Sequence, residues 1–279
     1  MDEISWVEFL KKNFKSKNIF KGIGDDCAII KKGSDFYLFT NDLFIENIHF
    51  KKGKISFQNL GKRAIARSIS DIVACGGVPQ FISISLGIRQ DLKEKDLKKI
   101  VKGIKEFSQK YKLRILGGDT SKSSVLFLDV FAIGKAKKVI LRSGAKKGDY
   151  IFLTGALGKL AFDEVPSLRI REIQNLIKKY KINAMIDISD GFFLDLYRLL
   201  KESRRGSLVY KDNLPIEREE DLFRGEDYEL IFVVDKKENI DFLKRKYFFV
   251  GIIKEESFGY KIKEKDKIVD MPLKGFLHF

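Results

Sequence analysis

Along the whole chain, segments whose apolar residues recur at every second position alternate with segments whose apolar residues recur every third or fourth. A chain patterned this way can only mix strands with helices. Residues 81–88 (FISISLGI) alternate strictly and predict a half-buried strand, and residues 36–40 predict another. Residues 125–133 are almost continuously apolar, as in a buried strand. Residues 56–75 set Leu60, Ala64, Ala66, Ile69, Ile72 and Val73 in a helix-forming run that stops at Gly76-Gly77 and Pro79. Residues 4–14 and the Lys-rich residues 91–111 predict two further helices, the second followed by a short strand at 113–116 and Gly117-Gly118.

The basic stretch 135–147 follows a strand, is poor in large apolar residues and contains Arg142-Ser143-Gly144. After it the pattern restarts, with strands at 150–154 and 228–234 and helices at 169–180 and 192–202. A length of 279 residues suits two ordinary domains. The expected fold is therefore two α+β halves, residues 1–138 and 139–279.

Several function classes fall away. Lys+Arg minus Asp+Glu is 54 − 39 = +15, which speaks to solubility and long-range attraction, not to a site. The cations are spread over the predicted helices and no aromatic RNA-binding motif is present, so no nucleic-acid partner is expected. Cys27 and Cys75 are too few for a disulfide framework and lack metal-type spacing. There is no signal-peptide pattern at the start and no run approaching the ~18 apolar residues of a membrane span. The expectation is a soluble cytoplasmic protein without a membrane partner.

The acids are more informative than the excess of base. Asp or Glu stands beside Gly, Ser, Thr or Asn in GIGDDCA (22–28), FTNDLF (39–44), SISDIVACGG (68–77), LGGDTS (116–121), IDISDG (186–191) and GEDYEL (225–230). Any one of these suits turn or cap chemistry. Six together, three directly after an apolar strand, point to hard oxygen ligands for Mg²⁺, which takes one or two protein carboxylates and completes its shell with water and phosphate oxygens. Other phosphate signatures fail. Gly22-Ile23-Gly24 lacks the third glycine of a dinucleotide fingerprint, and Thr154–Lys159 has neither the glycine spacing nor the Ser/Thr of a P-loop. Only His49 and His278 supply imidazole, so little acid–base chemistry is provided for.

Taken in order, GIGDDCA, ND-x6-HF (41–50), SD-x2-A-x-GG-x-P (70–79), GGDT, RSGAKKGD (142–149), IDISDG and GEDYEL resemble the thiamine-monophosphate kinase family, within the aminoimidazole ribonucleotide synthetase-like superfamily. The resemblance runs from residue 22 to the C-terminal KGFLHF. It implies a two-domain aminoimidazole ribonucleotide synthetase-like α+β fold, a homodimer whose N-terminal strands form a barrel across the subunits, and transfer of the γ-phosphoryl group of ATP to thiamine monophosphate. It further implies Asp26, Thr40, Asn41, Asp42, Asp71, Asp119, Asp187 and Asp190 as positions for several Mg²⁺ ions, Thr40 and Asn41 through backbone oxygens. Tyr111, Gly118, Asp119, Arg142 and Ser189 match nucleotide positions; His49, Glu226 and Phe276 match substrate positions. The catalytic set is then Asp42, Asp71, Asp119 and Arg142. Asn41 stands where the family usually has Thr, and the chain between Gly158 and Ile186 is short for the family. Two other readings stay open: a superfamily member acting on a different phosphate or carbonyl oxygen, and, remotely, a basic nucleic-acid-binding protein.

Overall fold

The computed structural model describes residues 2–14 and 17–277. The chain opens with helix α1 (Glu3–Asn13), capped by the Asp2 side chain. A first sheet follows, from β1 (Ala28–Lys32), β2 (Asp35–Ile45), β3 (Val78–Arg89), β4 (Arg114–Gly117), β5 (Thr120–Ser123) and β6 (Phe127–Ala136). Their order is β1-β2-β6-β3-β4, with β5 also pairing β3. Helices α2 (Phe57–Ala74) and α3 (Glu94–Tyr111) lie on one face.

Period-two patterning decides which face they cover. Every second residue of β6, beginning at Leu128, is buried, and those between are half-buried. Leu38, Phe44, Ile82, Leu128 and Val130 form one core with Ile65 and Ile69 of α2. Each such large side chain contributes about 1.5–3 kcal/mol on burial. The opposite face carries Phe39 stacked on Phe131 at 6.3 Å, with Leu43 46% exposed, and among the described residues no helix packs there. Helix α2 is capped by Ser56, whose Oγ accepts from the Asn59 amide, and it ends where Gly76 turns to φ 74°.

The second sheet comprises β7 (Tyr150–Leu153), β8 (Ile182–Asp187), β9 (Gly206–Tyr210), β10 (Leu230–Val234), β11 (Phe248–Lys254), β12 (Tyr260–Glu264) and β13 (Lys267–Asp270), in the order β13-β12-β9-β11-β7-β10-β8. Both faces are covered, so its central strands are apolar throughout. Ile151, Leu153, Ile186 and Ile231 pack on α5 (Phe192–Ser203). Phe152, Met185 and Phe232 pack with residues of α4 (Ile170–Lys179) and α6 (Asp241–Lys246). Val73 and Ala74, the end of α2, join that second layer, so the helix carrying Asp71 is seated against β8.

Most elements lie within a few residues of their expected positions. The strand expected at 228–234 is shorter, because Glu226 and Tyr228 adopt φ of 68° and 53° and the segment enters the sheet only at Leu230. The strands expected at 36–40 and 81–88 are longer, since antiparallel pairing of β2 with β6 continues past Thr40 to Ile45.

Candidate functional site

Three acidic motifs, distant in sequence, meet where the two sheets face each other. Carboxylate oxygens of Asp26, Asp71 and Asp187 lie within 4.8 Å of one another. Asp26 comes from the loop before β1, Asp71 from the last turns of α2 and Asp187 from the end of β8. Thr40 donates its hydroxyl to Asp71 at 2.5 Å, and Ser70 donates to Asp187 at 2.6 Å. Arg142 reaches Asp26 Oδ1 through Nε at 3.1 Å and a terminal nitrogen at 2.5 Å, while its amide rests on the Asp25 carboxylate. The other oxygen of Asp26 and one oxygen of Asp42 are buried with no protein partner. Buried, unpartnered carboxylate oxygens beside two further carboxylates suit a hard divalent cation.

The electrostatics agree. Burial, then the charges of Asp42, Asp187 and Asp26, push the Asp71 carboxyl well above its ordinary range; burial and Asp26 do the same to Asp187. Burial and its neighbour Asp26 push Asp25 up to about 6. Burial opposes the charge on Arg142, but Asp26 and Asp25 outweigh it and hold the guanidinium protonated. A carboxylate group this crowded lacks positive charge.

A second constellation adjoins it. Helix α2 presents Arg63 and Arg67 one turn apart, one turn before Asp71. Both pair with Glu226, Arg67 at 3.5 Å, and Arg67 also lies 3.4 Å from Asp42. The Glu226 amide donates to Ser189 O, and the Phe276 amide donates to Asp190 O, so the loop after β8 anchors both residues. A Cβ on Gly225 would meet Ser189 O at 2.2 Å, which is why this close approach needs glycine. The His49 ring lies 6.4 Å from that of Phe276. Its Nδ1 accepts from the Ile45 amide at 3.0 Å, which places the imidazole proton on Nε2 as a donor. His278 lies outside the described residues.

The structure thus gathers Asp26, Thr40, Asp42, Asp71, Arg142, Asp187 and Ser189–Asp190 with His49, Glu226 and Phe276. Asp190 is engaged by Arg198, which also bonds Asp195 at 2.9 Å, and Asp195 Oδ2 accepts from the Ser189 and Asp190 amides. Four expected residues lie elsewhere. The Asn41 side chain points to the opposite face of β2 and donates to Asp129 at 2.8 Å, because neighbouring residues on a strand face apart; only its backbone can serve the site. Asp119 and Gly118 are exposed beside β3, where a Cβ on Gly118 would meet Ile84 O at 1.7 Å. Asp42 pairs with Val130, Val130 with Ile84, and Asp119 O accepts from Leu86 N, so about three interstrand spacings, roughly 14 Å, separate Asp42 from Asp119. Tyr111 lines a separate cavity and its hydroxyl accepts from the Leu168 amide.

Sequence reading missed Asp25, Arg63, Arg67, Ser70, Asp195, Arg198 and the buried Tyr228. A signal existed for the arginines: Arg63, Arg67 and Asp71 fall at a spacing of four on a helix buried over most of its surface.

Comparisons with known proteins agree with this geometry. Residues 24–136 match the family described as AIR synthase related protein, N-terminal domain. The thiamine-monophosphate kinase of Buchnera aphidicola subsp. Acyrthosiphon pisum is 33% identical, covering 99% of this chain and 98% of its own length. That alignment spans 319 positions against 279 residues here, so the relative carries at least 40 residues that this chain lacks. The Pyrococcus horikoshii thiamine-monophosphate kinase is 29% identical over 92% of this chain and 90% of its own. Among solved structures, AaThiL complexed with AMPPCP and TMP superposes with a TM-score of 0.85 at 29% identity, covering 100% of this chain and 97% of that one. E. coli HypE, a hydrogenase maturation protein, shares the fold at a TM-score of 0.71 and 17% identity, over 96% of each chain.

Proposed function

The chain belongs to the thiamine-monophosphate kinase family, and from that premise we propose that it transfers the γ-phosphoryl group of ATP to the phosphate of thiamine monophosphate, releasing thiamine diphosphate and ADP. The observation that carries the reading is the convergence of Asp26, Asp71 and Asp187 beside Arg142, next to the His49, Glu226 and Phe276 positions.

The acceptor is a phosphate oxygen, ionised near neutral pH, so no general base is required. The obstacle is repulsion between two polyanions: unit charges 4 Å apart interact by roughly 4 kcal/mol at an effective dielectric of 20. Asp26, Asp42, Asp71 and Asp187 are the residues to hold Mg²⁺, with Asp190 at the periphery. Bound Mg²⁺ supplies neutralisation and in-line alignment of the phosphates. Arg142 exchanges Asp26 for a nucleotide phosphate oxygen, a charge-assisted bond of the same kind. Arg67, between Asp42 and Glu226, neutralises the acceptor phosphate. His49 Nε2 donates a hydrogen bond to the acceptor, and Phe276, 40% exposed, offers a ring face to its cationic heterocycle. Among the described residues no helix is long and apolar enough to cross a membrane.

Two surfaces support a homodimer. On the uncovered face of the first sheet Phe39, Leu43 and Phe131 form an apolar patch beside the Asn41–Asp129 pair, and β4 at the sheet edge exposes Ile115 and Leu116 by 51% and 59%. A second copy seated on this face and around the β4 edge covers the patch together with Leu116 and Ile115, which face apart, and brings its own Asp119 toward a neighbouring site. Residues 1–138 and 139–279 then act as the dimerising and the closing half.

The test is ADP release in parallel reactions with thiamine monophosphate and with the amidine precursor of aminoimidazole ribonucleotide. Turnover only with the former is expected; turnover only with the latter assigns the chain to another reaction of the superfamily.

A further inference from the structure

The turn between β8 and α5 is gripped through its amides and used through its carbonyls. Ser189 N and Asp190 N both donate to one oxygen of Asp195, at 3.0 and 2.9 Å. Ser189 O accepts from the Glu226 amide and Asp190 O from the Phe276 amide, each at 2.8 Å. The carbonyl side has no slack. A Cβ on Gly225 would meet Ser189 O at 2.2 Å, and one on Gly275 would meet Asp190 O at 2.5 Å. Any shift of the turn therefore passes directly to Glu226 and Phe276, as well as to the Ser189 and Asp190 side chains.

Asp195 lies in the first turn of α5 and is 1% exposed. The helix has no side-chain cap at Gly191; instead, this carboxylate reaches back to amides that precede the helix altogether. A buried carboxylate is costly unless its oxygens are engaged. Oδ2 of Asp195 holds both amides, and Oδ1 accepts from Arg198 at 2.9 Å. Arg198 has two further carboxylates, Asp190 and, at 3.1 Å, Glu3 of α1. It stays paired without Asp195. The two amides do not: among the described residues no other group accepts from them.

We propose that Asp195 is a positioning residue for both substrates. It touches neither nucleotide nor acceptor. It fixes the turn whose side chains stand at the nucleotide and metal positions and whose carbonyls fix the two acceptor residues. One buried carboxylate thus sets both halves of the site, and loosening it disturbs them together. The link to phosphoryl transfer rests on the kinase reading; the hold on the turn does not.

Two readouts on three variants test this. Asp195→Asn keeps an oxygen for the two amides and gives up Arg198, whereas Asp195→Ala gives up all three bonds. Asp195→Ser, too short to span both amides, replaces the Ala variant should that one fold poorly. Hydrogen exchange followed by mass spectrometry, on the peptide holding residues 189 and 190, reads the turn without any ligand. Exchange close to wild type in the Asn variant and at least ~tenfold faster in the Ala variant is expected. Kinetics reads the consequence. In the Ala variant kcat/KM is expected to fall roughly 100-fold for thiamine monophosphate and for ATP alike, the loss that a displacement of about 1 Å brings. The Asn variant is expected to recover most of it. Asp195→Ala combined with Glu226→Gln should lose less than the product of the single losses, because the displaced turn has already misplaced Glu226. Unchanged exchange in the Ala variant, or both kcat/KM values unchanged beside a lowered Tm, overturns the proposal. So does an Asn variant as impaired as Ala, which would transfer the role to the Arg198 pair. Wild type with no turnover of thiamine monophosphate, but exchange in the expected order, would sink the kinase reading and leave the hold of Asp195 on the turn standing.

Discussion

Replacing Asp71 by Asn is expected to stabilise the metal-free protein while removing turnover. Two unit charges 4.8 Å apart repel by about 3.5 kcal/mol at an effective dielectric of 20, and Asp71 faces two such neighbours, Asp26 and Asp187. Full ionisation of the trio would therefore cost about 7 kcal/mol on its account. Protonation caps that cost: keeping a proton at about pH 7.5 on a carboxyl whose ordinary value is 3.8 costs about 5 kcal/mol. The capped carboxyl is neutral, so Asn gives up at most a neutral bond from Thr40, worth about 0.5–1.5 kcal/mol. The net gain is about 3.5–4.5 kcal/mol in EDTA. The pH dependence has a definite sign. The folded value lies above the unfolded one, so stability is fully present below about pH 4 and is lost as pH rises through the folded value. At about pH 5 the cap is only about 1.6 kcal/mol, so wild type and variant converge. Urea denaturation followed by circular dichroism, with EDTA and with Mg²⁺, reads all of this. Mg²⁺ is expected to stabilise wild type and to do much less for the variant. A variant less stable than wild type by more than about 1 kcal/mol in EDTA at pH 7.5 would refute the reasoning, since Asp71 would then be held by protein partners and not frustrated by its neighbours.

Other outcomes follow from single contacts. Arg63→Ala strips Glu226 of its buried partner and is expected to raise KM for thiamine monophosphate several-fold more than KM for ATP; equal rises would make the pair a strut between the halves. Arg142→Ala is expected to lower kcat by at least ~100-fold with a smaller effect on thiamine monophosphate binding, because the lost interaction is to transferring phosphate; unchanged kcat removes Arg142 from the nucleotide. Gly118→Ala is expected to cost more than about 2 kcal/mol in urea denaturation, as the added Cβ would overlap Ile84 O; a neutral result would mean the β3–β5 junction yields freely. His49→Asn is expected to raise the requirement for thiamine monophosphate and keep measurable turnover, since an amide still hydrogen-bonds; complete loss would make the imidazole a participant in transfer.

The sequence carried its secondary structure through period, and its site through carboxylates placed after apolar strands. Val125 to Ile133 reads as a strand because its even positions are buried against α2, and Asp187 is legible because it closes the apolar run of β8. Asn41 was legible as a motif residue but not its direction, which depends on pairing register with β6. Asp195 was hidden: nothing local marks an Asp in the first turn of α5 as the acceptor for two amides of the preceding loop. Arg63 and Arg67 stand four apart on α2, but nothing in that spacing marks Glu226, more than 150 residues later, as their partner. The left-handed Glu226 and Tyr228 shortened β10 at a place where the β-rich letters of YELIFVV favoured strand. These misses depend on loop conformation, pairing register or long-range contact, none of which periodicity encodes.

The most direct measurement follows the phosphoryl group itself. The protein is incubated with γ-labelled ATP and Mg²⁺, first alone and then with thiamine monophosphate, and denatured in alkali to preserve any phosphohistidine. No label on protein in the first stage, and label entering only the terminal phosphate of thiamine diphosphate in the second, one per ADP released, is the expected result. Stoichiometric label on His49 that discharges to thiamine monophosphate, or label found only in inorganic phosphate, would contradict direct transfer at this site.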